Sequence, residues 1–584
     1  MKAIHKHIYS VIIFTSLSNS LLANQTDNFK RLNQIDAIQQ QRLQQTQQVQ
    51  DKILRSQTDA RFDTTNSERL TLSNNEMPCY PIHRITLVDY TTTFSSSESQ
   101  FQWAFDKAAH DLKLALPYCF GGESLGILMK QIQNRIIENG YVTTRIVTQP
   151  QDLRSGVLEL TVIPGKVGNT LVTDSGDVPR FTRLQALTGL TFSKGELLNV
   201  RDIEQSLENL KRVPTADANI EILPNDTEIG VSDIKIRYQQ AVPFRLNLAL
   251  DDSGSTATGK YQATGTFSFD NIFSANDLFY TSFTHSLKSN DDDRGKRATK
   301  NLTFYYSIPF GYWTLSASQS YNRYHQEVFG AFDNNYLYSG ESNNSQVSLS
   351  YMLYRDSKRK TSLSGGFWSR QSKNFIDNAE IDVQRRRMAG WEAGISHKEY
   401  TGDTTLELSL HYKRGTGARG AISAPEELWN EGTSRPKIIN TSVSLIKPFS
   451  LGKQPWQYQT SLNTQWNKTP LIAQDRFSIG GRYTVRGFDG ELTLSGERGL
   501  LWRNELAWNV NHKGHQLYLA IDTGRVSGLD KQSRLGNHLV GAALGVKGSV
   551  KKLSYDLFVG KPVRKPEGFR TAKAVAGFQL SYHF

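Results

Sequence analysis

The stretch Gly577-Phe578-Gln579-Leu580-Ser581-Tyr582-His583-Phe584 stands at the end of the sequence and alternates with period two. Phe578, Leu580, Tyr582 and Phe584 form an apolar set, and Gly577, Gln579, Ser581 and His583 form a small or polar one. Successive side chains of a strand point to opposite faces, so the pattern predicts a strand with one apolar face. If that face meets lipid, this is the closing strand of an outer-membrane barrel and its assembly signal. An unpaired edge there would leave backbone groups unbonded in hydrocarbon. An edge strand of a soluble sheet shows the same alternation, so the reading needs the rest of the chain.

The texture continues upstream to Pro243. Phe244, Leu246, Leu248 and Leu250 alternate with Arg245, Asn247, Ala249 and Asp251, and similar runs recur for about sixteen candidate strands. The connections alternate long and short. A polar run at Lys288–Lys300 precedes a tight turn at Pro309–Tyr312, and a long loop at Val328–Asn344 precedes a short one near Arg355–Lys360. A very long loop at Arg414–Pro436 precedes a tight turn at Pro448–Pro455. Transmembrane barrels have an even strand number, long outer loops and short inner turns. Residues 241–584 are therefore expected to form a sixteen-stranded antiparallel transmembrane β-barrel.

At 584 residues the chain is expected to hold several domains. No apolar run of spanning-helix length lies beyond the N-terminus, and the mean hydropathy is −0.48. That average is compatible with alternating barrel strands. The net charge of +12 raises the question of nucleic acid. No compact basic block or recognition-helix pattern accompanies it, so scattered lumen and loop cations facing anionic lipid headgroups or a secreted substrate are the expected explanation, with no nucleic-acid partner.

Lys2 and Lys6 followed by the mostly apolar Ile8–Leu22 predict a signal peptide over residues 1–23. Export makes one disulfide the simplest use of the two cysteines, Cys79 and Cys119. A two-cysteine metal site lacks nearby histidines. Residues 24–56 are Gln-rich, and Phe29, Leu32, Ile35 and Ile38 recur at helical spacing with almost no apolar face to bury. Such a helix suits a wet cavity, with a disordered leader or weak coiled coil as the alternative. Residues 57–77 read as a linker.

Residues 78–165 and 166–240 each read β-α-α-β-β, a tandem repeat. In the first, Ile82–Leu87 is a strand and Gln100–Leu116 a helix. Leu125, Leu128, Met129, Ile132 and Ile136 mark a second helix ended by Gly140, before strands at Tyr141–Val147 and Val157–Val162. In the second, Phe181–Leu187 and Leu198–Leu210 are helical, and Asn219–Leu223 and Ser232–Tyr238 are strands. Asn199 is placed to cap, with Asp202 and Glu204 in the first turn, where the dipole favours carboxylates.

Two distant features carry the candidate site. Val485-Arg486-Gly487-Phe488 lies in a long loop, roughly 468–492, after Gly480-Gly481. Farther on, Leu517, Leu519 and Ile521 alternate with Tyr518, Ala520 and Asp522, so an outward apolar set turns Asp522 into the lumen. A lumen carboxylate calls for a cation. Arg486 on an infolded loop would supply a two-pronged one; equally, Arg486 could be solvated outside and Asp522 paired with Arg503. Gly122-Glu123-Ser124-Leu125-Gly126 matches a hydrolase elbow, but an amphipathic helix follows it and Ser124 is expected to be a helix N-cap. No metal, cofactor or catalytic pattern is seen, and no enzymatic activity is expected.

In order and spacing these features resemble the two-partner secretion transporters (TpsB family) over essentially the whole mature chain. The resemblance rests on 485–488, Asp522, Asn139-Gly140-Tyr141-Val142-Thr143-Thr144-Arg145, Leu198-Asn199-Val200-Arg201-Asp202-Ile203-Glu204, and Phe584. It implies two periplasmic POTRA domains (78–165, 166–240), a plug helix in the pore of a sixteen-stranded barrel, and a lumen loop locked by Arg486 to Asp522. It also implies a large secreted exoprotein, a cytolysin or contact-dependent inhibition toxin, as cargo. Outer-membrane lipids and the barrel-assembly machinery are the other expected partners. A factor that assembles or inserts other outer-membrane proteins is the alternative; such factors generally carry more POTRA units and no plug.

Overall fold

In the computed structural model the described residues are 41, 59–64, 70–73, 76–90, 99–174, 181–288, 296–329, 334–510, 514–528 and 535–584. The signal peptide and nearly all of the proposed plug helix, including Phe29, Leu32, Ile35 and Ile38, lie outside them. Among the described residues no helix is long and apolar enough to cross a membrane.

The first α/β unit has a three-stranded sheet in which Val157–Ile163 runs between Arg84–Asp89, parallel to it, and Arg145–Thr148, antiparallel to it. Helices Gln102–Leu112 and Gly122–Glu138 cover this sheet. Ala104, Ala108, Leu128, Ile132 and Ile136 from the helices and Leu87, Leu158, Leu160 and Val162 from the strands form one fully buried core. Each buried Leu or Ile contributes roughly 1.5–3 kcal/mol, enough to hold two short helices that would not persist alone. Cys79 and Cys119 form a disulfide that fastens the strand Tyr80–Ile82 to Tyr118–Phe120.

Three local expectations are corrected here. The first helix ends at Leu112, short of Leu116, because Lys113 adopts a left-handed conformation that halts the ladder. The strand expected from Tyr141 begins at Arg145, because Tyr141 folds its N–H back to the Ile136 carbonyl and Thr144 bonds Tyr141 in a turn. The N-cap of the second helix is Gly121, and Ser124 is its third residue. Ser124 Oγ accepts from the Gly121 N–H, while the linker carboxylate of Glu76 accepts from the Ser124 N–H at 2.9 Å and from its hydroxyl. The hydroxyl bond holds the Glu76 carboxyl below the usual carboxylate range. Ser124 thereby completes the cap from the third helical position.

The second unit repeats the plan, with Val231–Gln240 between Lys166–Asp174 and Ala216–Pro224. Its helices are Arg183–Gly189 and Val200–Leu210. Thr182 and Gln185 bond reciprocally across the first turn of the former, and the Asn199 side chain accepts from the Arg201 N–H in the latter. The two motif stretches that mark the units meet: the Val200 N–H donates to the Gly140 carbonyl at 2.9 Å.

From Phe244 onward sixteen antiparallel strands close into a barrel, with the two-residue strand Ala379–Glu380 as an additional short pairing. Leu248, Leu519, Ile521, Leu544 and Val559 project outward and are exposed, whereas Thr264, Thr266, Ser282 and Thr284 project inward and bond one another. This apolar-out, polar-in arrangement is what a lipid solvent outside and water inside select. The last strand, Val575–His583, joins the first, Phe244–Asp251, from Gln579 opposite Asp251 to His583 opposite Asn247. Phe578, Leu580 and Tyr582 lie on its outward side, and the Phe584 N–H donates to the Leu246 carbonyl at 3.0 Å.

Connections on the side of the two α/β units are short, such as Gly311–Tyr312 and Gly452–Lys453. Those on the far side are longer, with one exception. The expected loop Val328–Asn344 is mostly strand, because Trp313–Phe329 and Asn335–Arg355 pair until Phe329 meets Asn335.

Candidate functional site

The connection from Asn467 to Arg498 turns inward. Its own short hairpin pairs Phe477–Ile479 with Leu494–Gly496. At one end Asp475 is bonded by Arg370 of the wall, Nη2 to Oδ1 3.0 Å. At the tip, Val485 and Phe488 are buried with Ile479, Leu494, Leu501, Val526, Leu539 and Phe569. Phe488 meets the Phe569 ring edge-on, with centroids 5.8 Å apart.

Between those two apolar anchors Arg486 faces the wall. Its Nε donates to Asp522 Oδ2 at 2.7 Å and its Nη2 to Asp522 Oδ1 at 2.8 Å, a fork-on-fork pair. The Arg486 backbone N–H also donates to Oδ2, at 3.0 Å. Arg486 Nη1 engages Glu505, which Lys547 engages from the other side. Asp522 is fully buried and Arg486 nearly so. The alternative partner is present as well: Arg503, opposite Asp522 on the neighbouring strand, holds its Nε 3.6 Å from Oδ2. The structure thus brings Val485, Arg486, Gly487, Phe488 and Asp522 together, in a network of two carboxylates and three cations that sequence reasoning had only half assembled.

Glycine makes the fit possible on both sides. Gly487 has φ +97, and a Cβ there would lie 2.5 Å from the Lys561 carbonyl oxygen. A Cβ on Gly541 of the wall would lie 1.9 Å from the Arg486 oxygen. Small residues facing the lumen in the last strands were the available signal, but their use is invisible until the loop's path is known.

Gln41, the described residue of the N-terminal segment, is helical, and its Nε2 donates to the Arg476 carbonyl of the infolded loop at 2.6 Å.

A second cluster was missed. Helix Val200–Leu210 docks on the barrel's POTRA-side turns, and a length of linker is caught between them. Arg355, at the end of a wall strand, donates to Glu204 Oε2 at 3.0 Å, to Gln205 Oε1 at 3.0 Å and to both oxygens of Glu208. The linker enters through Phe62, whose N–H donates to Glu204, and Ala60, whose N–H donates to Glu208 and whose carbonyl accepts from Arg355. Lys360 joins Asp59 to Glu208, and the Arg61 guanidinium lies 3.6 Å over the Tyr400 ring. Glu204, expected in the first turn, lies one turn farther on and is fully buried, so its charge is answered by Arg355 and Arg201 rather than by the helix dipole. Beside it Tyr312 donates to Asp202, and burial pushes the Asp202 carboxyl above its ordinary value.

A closed sixteen-stranded barrel with a wet interior, a loop folded into it and two POTRA units at one mouth defines an outer-membrane transporter with its POTRA units in the periplasm. The description "Haemolysin secretion/activation protein ShlB/FhaC/HecB" matches residues 230–548, an ShlB-type POTRA domain matches 97–165, and a further POTRA domain matches 166–224. The chain belongs to this ShlB/FhaC/HecB family. It is 32% identical over 561 residues to the outer membrane transporter CdiB-2 of Burkholderia pseudomallei strain 1026b, covering 93% of this chain and 94% of that one. It is 26% identical to the hemolysin transporter protein ShlB of Serratia marcescens over 424 residues, 72% of each. The solved structure of CdiB from Acinetobacter baumannii superposes with a TM-score of 0.81 at 28% identity, covering 94% of this chain and 99% of that one. These relatives favour a secretion pore over a barrel-assembly factor.

Proposed function

We propose that this transporter moves one large exoprotein, of cytolysin or contact-dependent inhibition type, from the periplasm to the cell surface. Its expected organisation is a signal peptide (1–23), a plug helix (24–56), a linker (57–77), two POTRA domains (78–165 and 166–240) and the pore (241–584). The chain is a conduit without enzymatic activity, and folding of the cargo outside the cell supplies the pull.

The cargo arrives unfolded and can add a strand to an exposed sheet edge. Arg145–Thr148 is such an edge, beside the helix Gly122–Glu138. The Gln133 amide holds the edge groups now, donating to the Thr144 carbonyl at 2.8 Å and accepting from the Ile146 N–H at 3.1 Å. An arriving strand displaces one side chain there. The matching face of the second unit is the edge Ala216–Pro224.

The observation that carries the reading is the loop folded into the lumen, held by Arg486 to Asp522 and bonded by Gln41. Both have to shift before a chain can pass. The polar face of the 24–56 segment suits weak, reversible seating, and Arg486–Asp522 sets the loop's resting place. The test is to express the chain with the neighbouring gene for a very large secreted protein and assay the medium. Cargo is expected outside only when the transporter is present. Deletion of 24–56 is expected to raise single-channel conductance. Unchanged conductance would refute the plug, and cargo release independent of the transporter would refute the function.

A further inference from the structure

The seam between the last and first strands is short, five residue pairs against eight on each flanking side. Alternate residues of a strand turn their N–H and C=O toward the same neighbour. The Phe584 N–H bonds Leu246, so Tyr582, Leu580 and Phe578 turn the same way. One step past Gln579–Asp251, Phe578 stands opposite Asp252, where the backbone ladder has stopped. The Phe578 groups are nevertheless satisfied. Its N–H donates to Asp252 Oδ1 at 3.0 Å, and its carbonyl accepts from Arg482 Nη1 at 3.1 Å. The same Nη1 bonds Asp252 Oδ1, closing a three-member ring of contacts. Both side chains are largely buried, and the Arg482 guanidinium lies 5.4 Å over the Phe558 ring.

We propose that Arg482 and Asp252 form a side-chain rung that continues the closing seam, so that the infolded loop is a structural part of the barrel wall. The rest of the loop spans the seam in the same sense. Glu491 accepts from the Thr256 N–H in the connection after the first strand, and Asp489 accepts from the Ala572 N–H just before the last. The loop therefore touches both strands that must stay together, and Arg482 lies four residues before Arg486 on it. Withdrawing the loop's Gly481–Arg486 portion from the lumen removes the rung. Keeping the rung confines loop movement to the part beyond Arg482. Neither statement depends on what the pore carries.

Hydrogen exchange of the full chain in a lipid nanodisc tests the rung. With Asp252→Ala the Phe578 amide is expected to exchange roughly tenfold faster or more while the Leu580 amide, inside the backbone ladder, is unchanged, because opening is local. Arg482→Met is expected to lower the temperature at which the unheated protein loses its folded migration on a denaturing gel. Unchanged exchange at Phe578 in an inserted Asp252→Ala barrel overturns the proposal. If that variant fails to insert, Leu250→Cys with Leu580→Cys, opposite one another in the seam, is expected to rescue it through a cross-link. Failure of a formed cross-link to restore insertion also overturns the proposal.

Discussion

Replacing Arg486 by alanine removes three side-chain contacts to buried carboxylates at once. Truncating one member of a buried charge pair costs about 3–5 kcal/mol when the other is stranded. Here neither carboxylate is stranded. Asp522 keeps the backbone N–H of residue 486 at 3.0 Å, the Asn504 N–H at 3.3 Å and Arg503 at 3.6 Å. Glu505 keeps Lys547. The cost of seating the loop therefore falls to roughly 2–3 kcal/mol, a rise of about 30- to 140-fold in the unseated population. Val485→Cys reads this directly, since Val485 is fully buried beside Arg486. A membrane-impermeant maleimide should label it about 30- to 140-fold faster in the Arg486→Ala background, while the barrel still assembles and cargo release into the medium falls. Arg486→Lys keeps a charge but loses the fork and should fall between. Asp522→Ala should unseat the loop as well, and the double variant should fall short of the sum of the two, because the Arg486–Asp522 fork is lost in each single variant while the Glu505 contact is lost only with Arg486. Unchanged labelling with normal secretion in both single variants would refute the argument.

Arg355→Ala should loosen the linker by removing its bonds to Glu204, Gln205, Glu208 and the Ala60 carbonyl, although Glu204 keeps Arg201 and the Phe62 N–H. Limited proteolysis near residues 59–64 should accelerate by roughly fivefold for each ~1 kcal/mol of lost contact, and unchanged cleavage would count against the tether. Gly487→Ala should impair assembly or seating outright through its φ of +97 and the Lys561 oxygen 2.5 Å from a new Cβ, and it should lower the yield of heat-modifiable barrel. Docking of the second POTRA unit should depend on pH through Asp202. Its folded pKa is raised by burial, so the folded state holds its proton more tightly. The penalty is fully present above that raised value and is relieved as pH falls through it toward the ordinary 3.8, so docking strengthens on acidification in that window. Asp202→Asn should lose that component, as read by cross-linking between the unit and the Gly311–Tyr312 turn across pH.

What could be read in the sequence was whatever solvent imposes locally. Phe244 to Leu250 and Phe578 to Phe584 alternate because one face meets lipid and the other water, and that demand acts on every strand without regard to partners. The paired α/β units were legible for a similar reason, with errors confined to ends where a single backbone decides, as at Lys113 and Tyr141. The local pattern places Ser124 at the N-cap, whereas the cap is completed by Glu76, 48 residues earlier, and nothing at either position announces the other. Arg486 and Asp522 were suspected because a lumen-facing carboxylate needs a cation, yet Arg503 met the same requirement. Only the path of the folded loop chose between them, and it kept both. Glu204, Arg355 and the linker at Ala60 and Phe62 lie far apart in the chain and have no pattern of their own. Their pairing follows from how the second POTRA unit meets the barrel. Periodicity records which medium a residue faces, whereas long-range charge pairing records which surfaces meet, and that information exists only once the chain has closed on itself.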